Sequence, residues 1–391
     1  MSVPKRMDVA VVFGGASVEH DVSIITAQQA MAVLAERHQV VPIYVGKDGR
    51  WWTGEALRDV AAFATDPPGG ARPVELRLGS ETPFVEPSTS RVRRDAPLRV
   101  DAVVNAIHGT GGEDGALPGA LELARVPYVG RGVASSAIAM DKHLAKLVLA
   151  SAGLDVLPHR RFERDAWEAD SDSVLAAARE QGDDLVVKPA TLGSSVGVQR
   201  CSSPEELREA LELAFELDRQ AIVEPFLAGA VELNVAVLGR PGGSYVVSEV
   251  EQPIGGGDGL TFEDKYMRGG KGKHAESSKS SGMASQDRVI PAQIDDDLRE
   301  RVRASAELAH RTLRFAGAAR YDFFVLDDRV VLNEPNTVPG SFAFYLFEHV
   351  GMSFPELMDQ LLAIAIAEAQ EERSTTRYFA SALLDLHTGR T

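Results

Sequence analysis

The stretch ARYDFFVLDDRVVLNEPNT, residues 319–337, carries the residue types best suited to chemistry. Two β-favouring runs, YDFFVL and VVLNE, are joined by DDR, and a hairpin is the natural reading. With a three-residue connection, Leu326 faces Val330 and Asp322 faces Glu334. Two carboxylates directly opposite one another destabilise an antiparallel pair. Asn336 lies two residues on and projects from the same face if the strand continues that far. Three oxygen-bearing side chains converging on one face suit a hard divalent cation such as Mg²⁺, and a bound ion would remove the repulsion. The alternative is an exposed acidic hairpin edge whose charges water screens.

Magnesium held by few carboxylates completes its shell with water and phosphate. A second stretch offers the complement. LVVKPATLGSSVGV, residues 185–198, runs as a strand into a lysine and then a tract of small residues. Lys188 would supply point charge, and backbone N–H groups of the Gly193–Gly197 loop could approach phosphate oxygens without side chains in the way. The tract lacks the order G-x-x-x-x-G-K-[ST] of a standard phosphate loop, and an ordinary strand and turn is the alternative. Lys142, in MDKHLAKL, and Lys265, in EDKY, are further candidates, although a single lysine is more often a solvated surface charge. Glu19 lies in the first strand-to-helix turn, where a dinucleotide fold places glycine to admit phosphate. A carboxylate there repels phosphate and attracts an ammonium group. Its plainer role is to satisfy the helix dipole.

These residues need elements to hold them. DVAVVFGG, a helix through SIITAQQAMAVLAERH, and VVPIYVG read as strand, helix, strand, the pattern of a parallel α/β sheet. VDAVVNAIHG, LPGALELAR and VPYVG extend it, while Trp51–Leu98 shows weak periodicity. SSAIAMDKHLAKLVLASAG reads as one helix, capped by Ser135 or Ser136 and ended by Gly153. The chain of 391 residues divides into three expected units: an N-terminal α/β domain at 1–140, a small central α+β domain at 141–228, and a C-terminal α+β domain with an antiparallel sheet at 229–391. A formal net charge of −16 offers no basic face for nucleic acid. A single cysteine, Cys201, excludes an internal disulfide and reads as a small packing residue. With no signal-peptide pattern and no apolar run long enough to span a bilayer, the expected location is the cytoplasm, with no membrane partner.

The chain also resembles the D-alanine–D-alanine ligase family of ATP-grasp enzymes along nearly its whole length. FGGASVEHDVS, HGTGGEDGALPG, VPYVG, MDKHLAK, VVKPATLGSSVGV, EPFLAGAVELNVAVLG, DKY, ARYDFF and NEPNTVPGS occur in the family's order. The resemblance implies an α/β ATP-grasp fold with ATP between the last two domains. It further implies joining of two D-alanines through an acyl phosphate for peptidoglycan synthesis, ATP with two Mg²⁺ or Mn²⁺ ions, and a homodimer. By motif position, Lys142 and Lys188 resemble the family's phosphate-contacting lysines, and Lys265 resembles one on the loop that closes over ATP. Ser195, in the small-residue loop after Lys188, resembles a further ATP contact. Glu224, with the Leu227 backbone beside it, resembles the adenine contact, and Glu232 the ribose carboxylate. Asp322, Glu334 and Asn336 resemble the metal ligands. Glu19, linked with Ser194 and Tyr266, resembles the anchor of the first amino group. Arg320 and the Gly340 amide resemble the oxyanion-stabilising pair, and His108 a histidine near the first substrate; a neutral, hydrogen-bonded core histidine is its alternative role.

The pattern departs in places. Tyr345 stands where many members carry a Ser that holds the second substrate's carboxylate, so Ser341 or Tyr345 would take that task. Pro118 stands where glutamine is usual, and LAGAVE is one residue longer than typical. These departures keep open a related ligase with a different second substrate from a natural-product pathway. A non-enzymatic nucleotide-binding regulator would have lost metal and phosphate residues, and Asp322, Glu334, Asn336 and Lys188 all remain.

Overall fold

The structure, a computed structural model, describes residues 6–88, 94–254 and 288–376. Lys265 and Tyr266 lie outside the described residues. Three sheets organise the chain. The first has eight strands in the order β6-β5-β4-β3-β2-β1-β7-β8: β1 (Asp8–Gly14), β2 (Gln39–Val45), β3 (Trp51–Thr53), β4 (Arg72–Leu76), β5 (Phe84–Glu86), β6 (Ala96–Leu98), β7 (Ala102–Asn105) and β8 (Tyr128–Val129). Strands β2, β1, β7 and β8 run parallel, and Val9–Phe13 of β1 are all fully buried, as expected of a strand covered on both faces. The other half is an antiparallel meander from β2 to β6. The sheet is therefore mixed rather than purely parallel. The weakly periodic stretch after Trp51 supplies its short edge strands.

Helix α1 (His20–Leu34) follows β1, and α2 (Ala116–Leu123) leads to β8. The single helix expected over 135–153 is two: α3 (Val133–Met140) and α4 (Lys142–Ser151). Asp141 breaks them with extended backbone (φ −83°, ψ 105°), and its carboxylate accepts from Leu144 N at 3.0 Å, capping α4. Ser135 and Ser136 are buried inside α3 and cap nothing. The break puts Lys142 in the first turn of α4.

The second sheet is antiparallel, in the order β11-β10-β12-β9: β9 (Arg160–Glu163), β10 (Leu185–Pro189), β11 (Gln199–Cys201) and β12 (Gln220–Pro225). It packs on α6 (Ser171–Arg179) and α7 (Pro204–Leu217), which follow the short α5 (Arg164–Ala169). Cys201 is buried in that core, the packing role expected for it. The third sheet is antiparallel too, in the order β15-β14-β13-β16-β17, with β13 (Val231–Gly239), β14 (Val246–Pro253), β15 (Arg288–Val289), β16 (Gly317–Leu326) and β17 (Arg329–Asn336). Helices Asp296–Leu313 and Phe354–Ser374 complete this part.

Candidate active site

The hairpin forms, by a different route from the one expected. Leu326 faces Arg329, so the turn has two residues, Asp327 and Asp328, with Asp327 at φ +51°. That turn alone would set Asp322 against Asn333. A bulge between Asp322 and Phe323 inserts Asn333 as an extra residue, and Asp322 faces Glu334 after all. The two carboxylates are compensated by side-chain cations. Arg320 grips both oxygens of Asp322 at 2.7 Å, and Lys142 lies 3.6 Å from Glu334. Asn336 Nδ2 donates to Asp322 Oδ2 at 3.1 Å. The repulsion argument needed no metal, because Arg320 already balances Asp322.

The same face nevertheless fits a divalent cation. Asp322, Glu334 and Asn336 offer hard oxygen donors, and a carboxylate oxygen held by a guanidinium keeps a second lone pair. Among the described residues no group of three His, Cys, Asp or Glu side chains is placed to hold a metal ion. A cation here would take the rest of its shell from phosphate and water.

Lys142, Lys146 and Lys188 are all buried, contrary to the surface role expected of an average lysine. Lys188 Nζ donates to Asn333 Oδ1 at 3.0 Å and pairs with Glu224 Oε1. Lys146 Nζ lies 3.1 Å from Glu224 Oε2. Burial works against the charge of Glu224, but the two lysines outweigh it and hold its carboxyl down at about 2. Leu227 follows β12 in a turn, its carbonyl accepting from Ala230 N at 3.3 Å, and Glu232 sits on β13 opposite Phe324. Ser194 and Ser195 both take left-handed backbone, at φ +53° and +59°, in the loop after β10. Lys142 Nζ donates to Leu192 O of that loop.

On the opposite wall, Ser194 Oγ donates to Glu19 Oε1. Glu19 is buried at the start of α1 and makes no side-chain cap. Its carboxylate lies at the N-terminal end of the helix, where the dipole favours negative charge, and turns its hydrogen bonding to Ser194 rather than to the helix backbone. His108 Nε2 meets Thr26 Oγ1 at 2.9 Å, and burial with nearby Arg320 lowers its pKa to about 4, so the ring is neutral at ordinary pH. One cavity is lined by Glu19, His108, Lys142, Ser194, Glu334 and Asn336, together with Arg320 and Gly340. Residues from all three sheets and their loops therefore converge there.

Several residues in or beside this cavity escaped the sequence reading. Glu113 accepts from Gly109 N at 2.9 Å, Thr337 Oγ1 at 3.1 Å and Val338 N at 2.8 Å, tying two loops 225 residues apart. Burial and the Glu19 charge raise its pKa to about 7. Lys146 is four residues beyond Lys142, a spacing that stacks both on one helix face and was readable. Asn333 acts only through the bulge, which no residue pattern announced. As for the second-substrate position, Tyr345 OH donates to Glu251 Oε1 at 3.3 Å under the guanidinium of Arg288, 4.1 Å from its ring centroid. Arg288 pairs with Glu251 at 2.6 Å. Ser341, at φ +55°, is buried with no hydrogen-bond partner for its Oγ among the described residues.

A family model described as D-ala D-ala ligase N-terminus matches residues 8–131, and one described as D-ala D-ala ligase C-terminus matches residues 148–363. The chain belongs to the D-alanine–D-alanine ligase family. The D-alanine–D-alanine ligase of Bacillus pumilus is 34% identical over 386 residues, covering 96% of this chain and all of the relative. That of Deinococcus radiodurans is 37% identical over 363 residues, covering 91% of this chain and 97% of the relative. Among solved structures, the D-alanine–D-alanine ligase of Coxiella burnetii superimposes with a TM-score of 0.78 at 26% identity, covering 99% of this chain and all of that one. The VanG D-Ala:D-Ser ligase of Enterococcus faecalis gives a TM-score of 0.73 at 29% identity, over 92% of this chain and all of that one. The fold is the α/β architecture of the D-alanine–D-alanine ligases, and the family resemblance read from nine motifs holds along the chain. No helix among the described residues is long and apolar enough to cross a membrane.

Proposed function

We propose that this chain is an ATP-dependent ligase that joins two D-alanines into D-alanyl-D-alanine for peptidoglycan synthesis, releasing ADP and phosphate. The observation that carries the reading is the cavity in which Glu19, Ser194 and His108 face Lys142, Glu334 and Asn336. An ammonium-seeking wall and a phosphate-seeking wall meet there. Glu19 holds the amino group of the first D-alanine, with Tyr266 as its further partner, and leaves the substrate carboxylate pointing at the opposite wall. That carboxylate attacks the γ-phosphorus, ADP leaves, and an acyl phosphate remains. The second amino group then adds to the carbonyl and phosphate departs. Arg320 and the Gly340 amide stabilise the tetrahedral oxyanion.

Lys142, Lys188 and Lys265, with Ser195 amide groups, position the triphosphate, as in-line phosphoryl transfer requires of a protein. Glu224 and Leu227 hold the adenine, and Glu232 the ribose. Asp322, Glu334 and Asn336 would hold Mg²⁺ or Mn²⁺, two ions in all, and the ions would supply charge neutralisation at the phosphates. We assign the domains as 1–140, 141–228 and 229–391, with the enzyme a cytoplasmic homodimer. Neutral His108 can accept or donate a hydrogen bond without adding charge beside Arg320.

A second reading, a ligase with another acceptor, is favoured by one observation. The hydroxyl of Tyr345 is already engaged by Glu251, which changes the surface offered to the second substrate. Mass spectrometry of products across D- and L-amino acids separates the two. D-alanine as the best acceptor supports the first reading, and a different preferred acceptor replaces it by the second.

A further inference from the structure

Lys188 is asked to contact phosphate, yet in this structure it is committed elsewhere. Its ammonium sits on Glu224 and Asn333. Glu224 is 1% exposed, so a lysine that left it would abandon a buried carboxylate, a costly event unless another cation stays behind. Lys146 is that cation. It is 2% exposed, reaches the other carboxylate oxygen at 3.1 Å, and projects from the same face of α4 as Lys142, one turn away.

We propose that Lys146 is a positioning residue: the fixed counter-ion of Glu224 that frees Lys188 to move onto the triphosphate. Two buried ammonium groups share one carboxylate, which leaves this corner with a surplus positive charge. Burial and the neighbouring Lys188 both lower the pKa of Lys146, while Glu224 raises it, so the surplus is felt at the lysines themselves. An arriving phosphate relieves the surplus by taking Lys188. The Lys146–Glu224 pair that remains is neutral and does not need to rearrange. Helix α4 thereby serves the triphosphate twice, Lys142 directly and Lys146 through Lys188. The proposal rests on the reading of Lys188 as a phosphate contact.

Calorimetric binding of ADP and of adenosine, each with Mg²⁺, tests it on the full chain. In Lys146→Met, Lys188 is the last counter-ion of Glu224 and stays there. ADP affinity should fall by about tenfold or more, while adenosine affinity changes less than about threefold. Lys146→Arg should restore most of the loss. The double variant Glu224→Gln, Lys146→Met alters the adenine contact for ADP and adenosine alike, but its ADP affinity relative to its adenosine affinity should exceed that of Lys146→Met alone, since Lys188 no longer has a carboxylate to neutralise. In the ligand-free protein, the Glu224 carboxyl should titrate higher in Lys146→Met than in the parent by carbon NMR. Should the methionine variant fail to fold, Lys146→Gln carries the same measurements. Parent-like ADP binding by the variant, equal losses of ADP and adenosine, or no recovery of the ADP-to-adenosine affinity ratio in the double variant overturns the proposal. Failure of the parent chain to bind ADP at all overturns instead the proposed function.

Discussion

The hydroxyl of Ser194 donates to the carboxylate of Glu19, 175 residues earlier, and so joins the loop after β10 to the first strand–helix turn. Two glycines make room for it. A Cβ at Gly193 would stand 2.9 Å from Glu19 Oε2, and one at Gly109 would stand 2.5 Å from the same atom. Gly109 also has φ +71°, which an L side chain adopts only under strain.

Gly109→Ala should therefore displace Glu19. A stability loss of about 1–2 kcal/mol is expected in denaturant unfolding, with a raised KM for the first amino acid and an unchanged KM for ATP. A variant that unfolds earlier but keeps both KM values would remove Glu19 from substrate binding.

Glu334→Gln keeps the hairpin geometry and removes one charge from the face shared by Asp322 and Asn336. Turnover should drop by about a hundredfold or more, with thermal unfolding of the ligand-free protein close to the parent. Chelation of divalent ions should abolish parent turnover, and Mg²⁺ or Mn²⁺ should restore it. Near-normal turnover in the variant would contradict the metal assignment.

Asn333 holds Lys188 from the bulge at 3.0 Å. Asn333→Ala removes one hydrogen bond that holds Lys188 away from phosphate in the ligand-free protein, so ADP should bind about 3- to 30-fold more tightly by calorimetry. Weaker binding would mean that Lys188 keeps this contact when the nucleotide is bound.

The carboxyl of Glu113 is raised to about 7 by burial and by Glu19. A raised acid favours the folded state in its protonated form. Its contribution is complete below the ordinary carboxyl range and is lost as pH climbs through 7. Between about pH 4.5 and 7 the parent should lose stability with a slope of at most about 1.4 kcal/mol per pH unit from this group. Glu113→Gln cannot ionise and should flatten that slope in denaturant titrations. An identical slope in the two proteins would assign the change to other groups.

Much of this was legible in the sequence. The β1–α1–β2 run, the β10 strand with Lys188 near its end, and the pairing of Asp322 with Glu334 all follow from apolar runs and punctuating residues. The pairing was reached with the wrong turn length, and the Asn333 bulge restored the register. A bulge depends on twist and neighbouring strands, which local pattern does not encode. The break at Asp141 was missed because the apolar spacing of α3 and α4 is continuous through it, although an aspartate before a helical run is a capping signal. The short strands after Trp51 owe their existence to a sheet edge already present, so local propensity alone left them invisible. The burial of three lysines was likewise beyond reach, since their partners Glu224, Glu334 and Asn333 come from distant segments.

The central claim is that a D-alanine carboxylate is activated by taking the γ-phosphoryl group. D-alanine labelled with ¹⁸O in its carboxylate tests this directly, with ATP and Mg²⁺ and mass spectrometry of the phosphate released. One labelled oxygen in each phosphate, formed in step with D-alanyl-D-alanine, is the predicted result. Dipeptide formed with unlabelled phosphate, or ATP cleaved with no dipeptide, would contradict it.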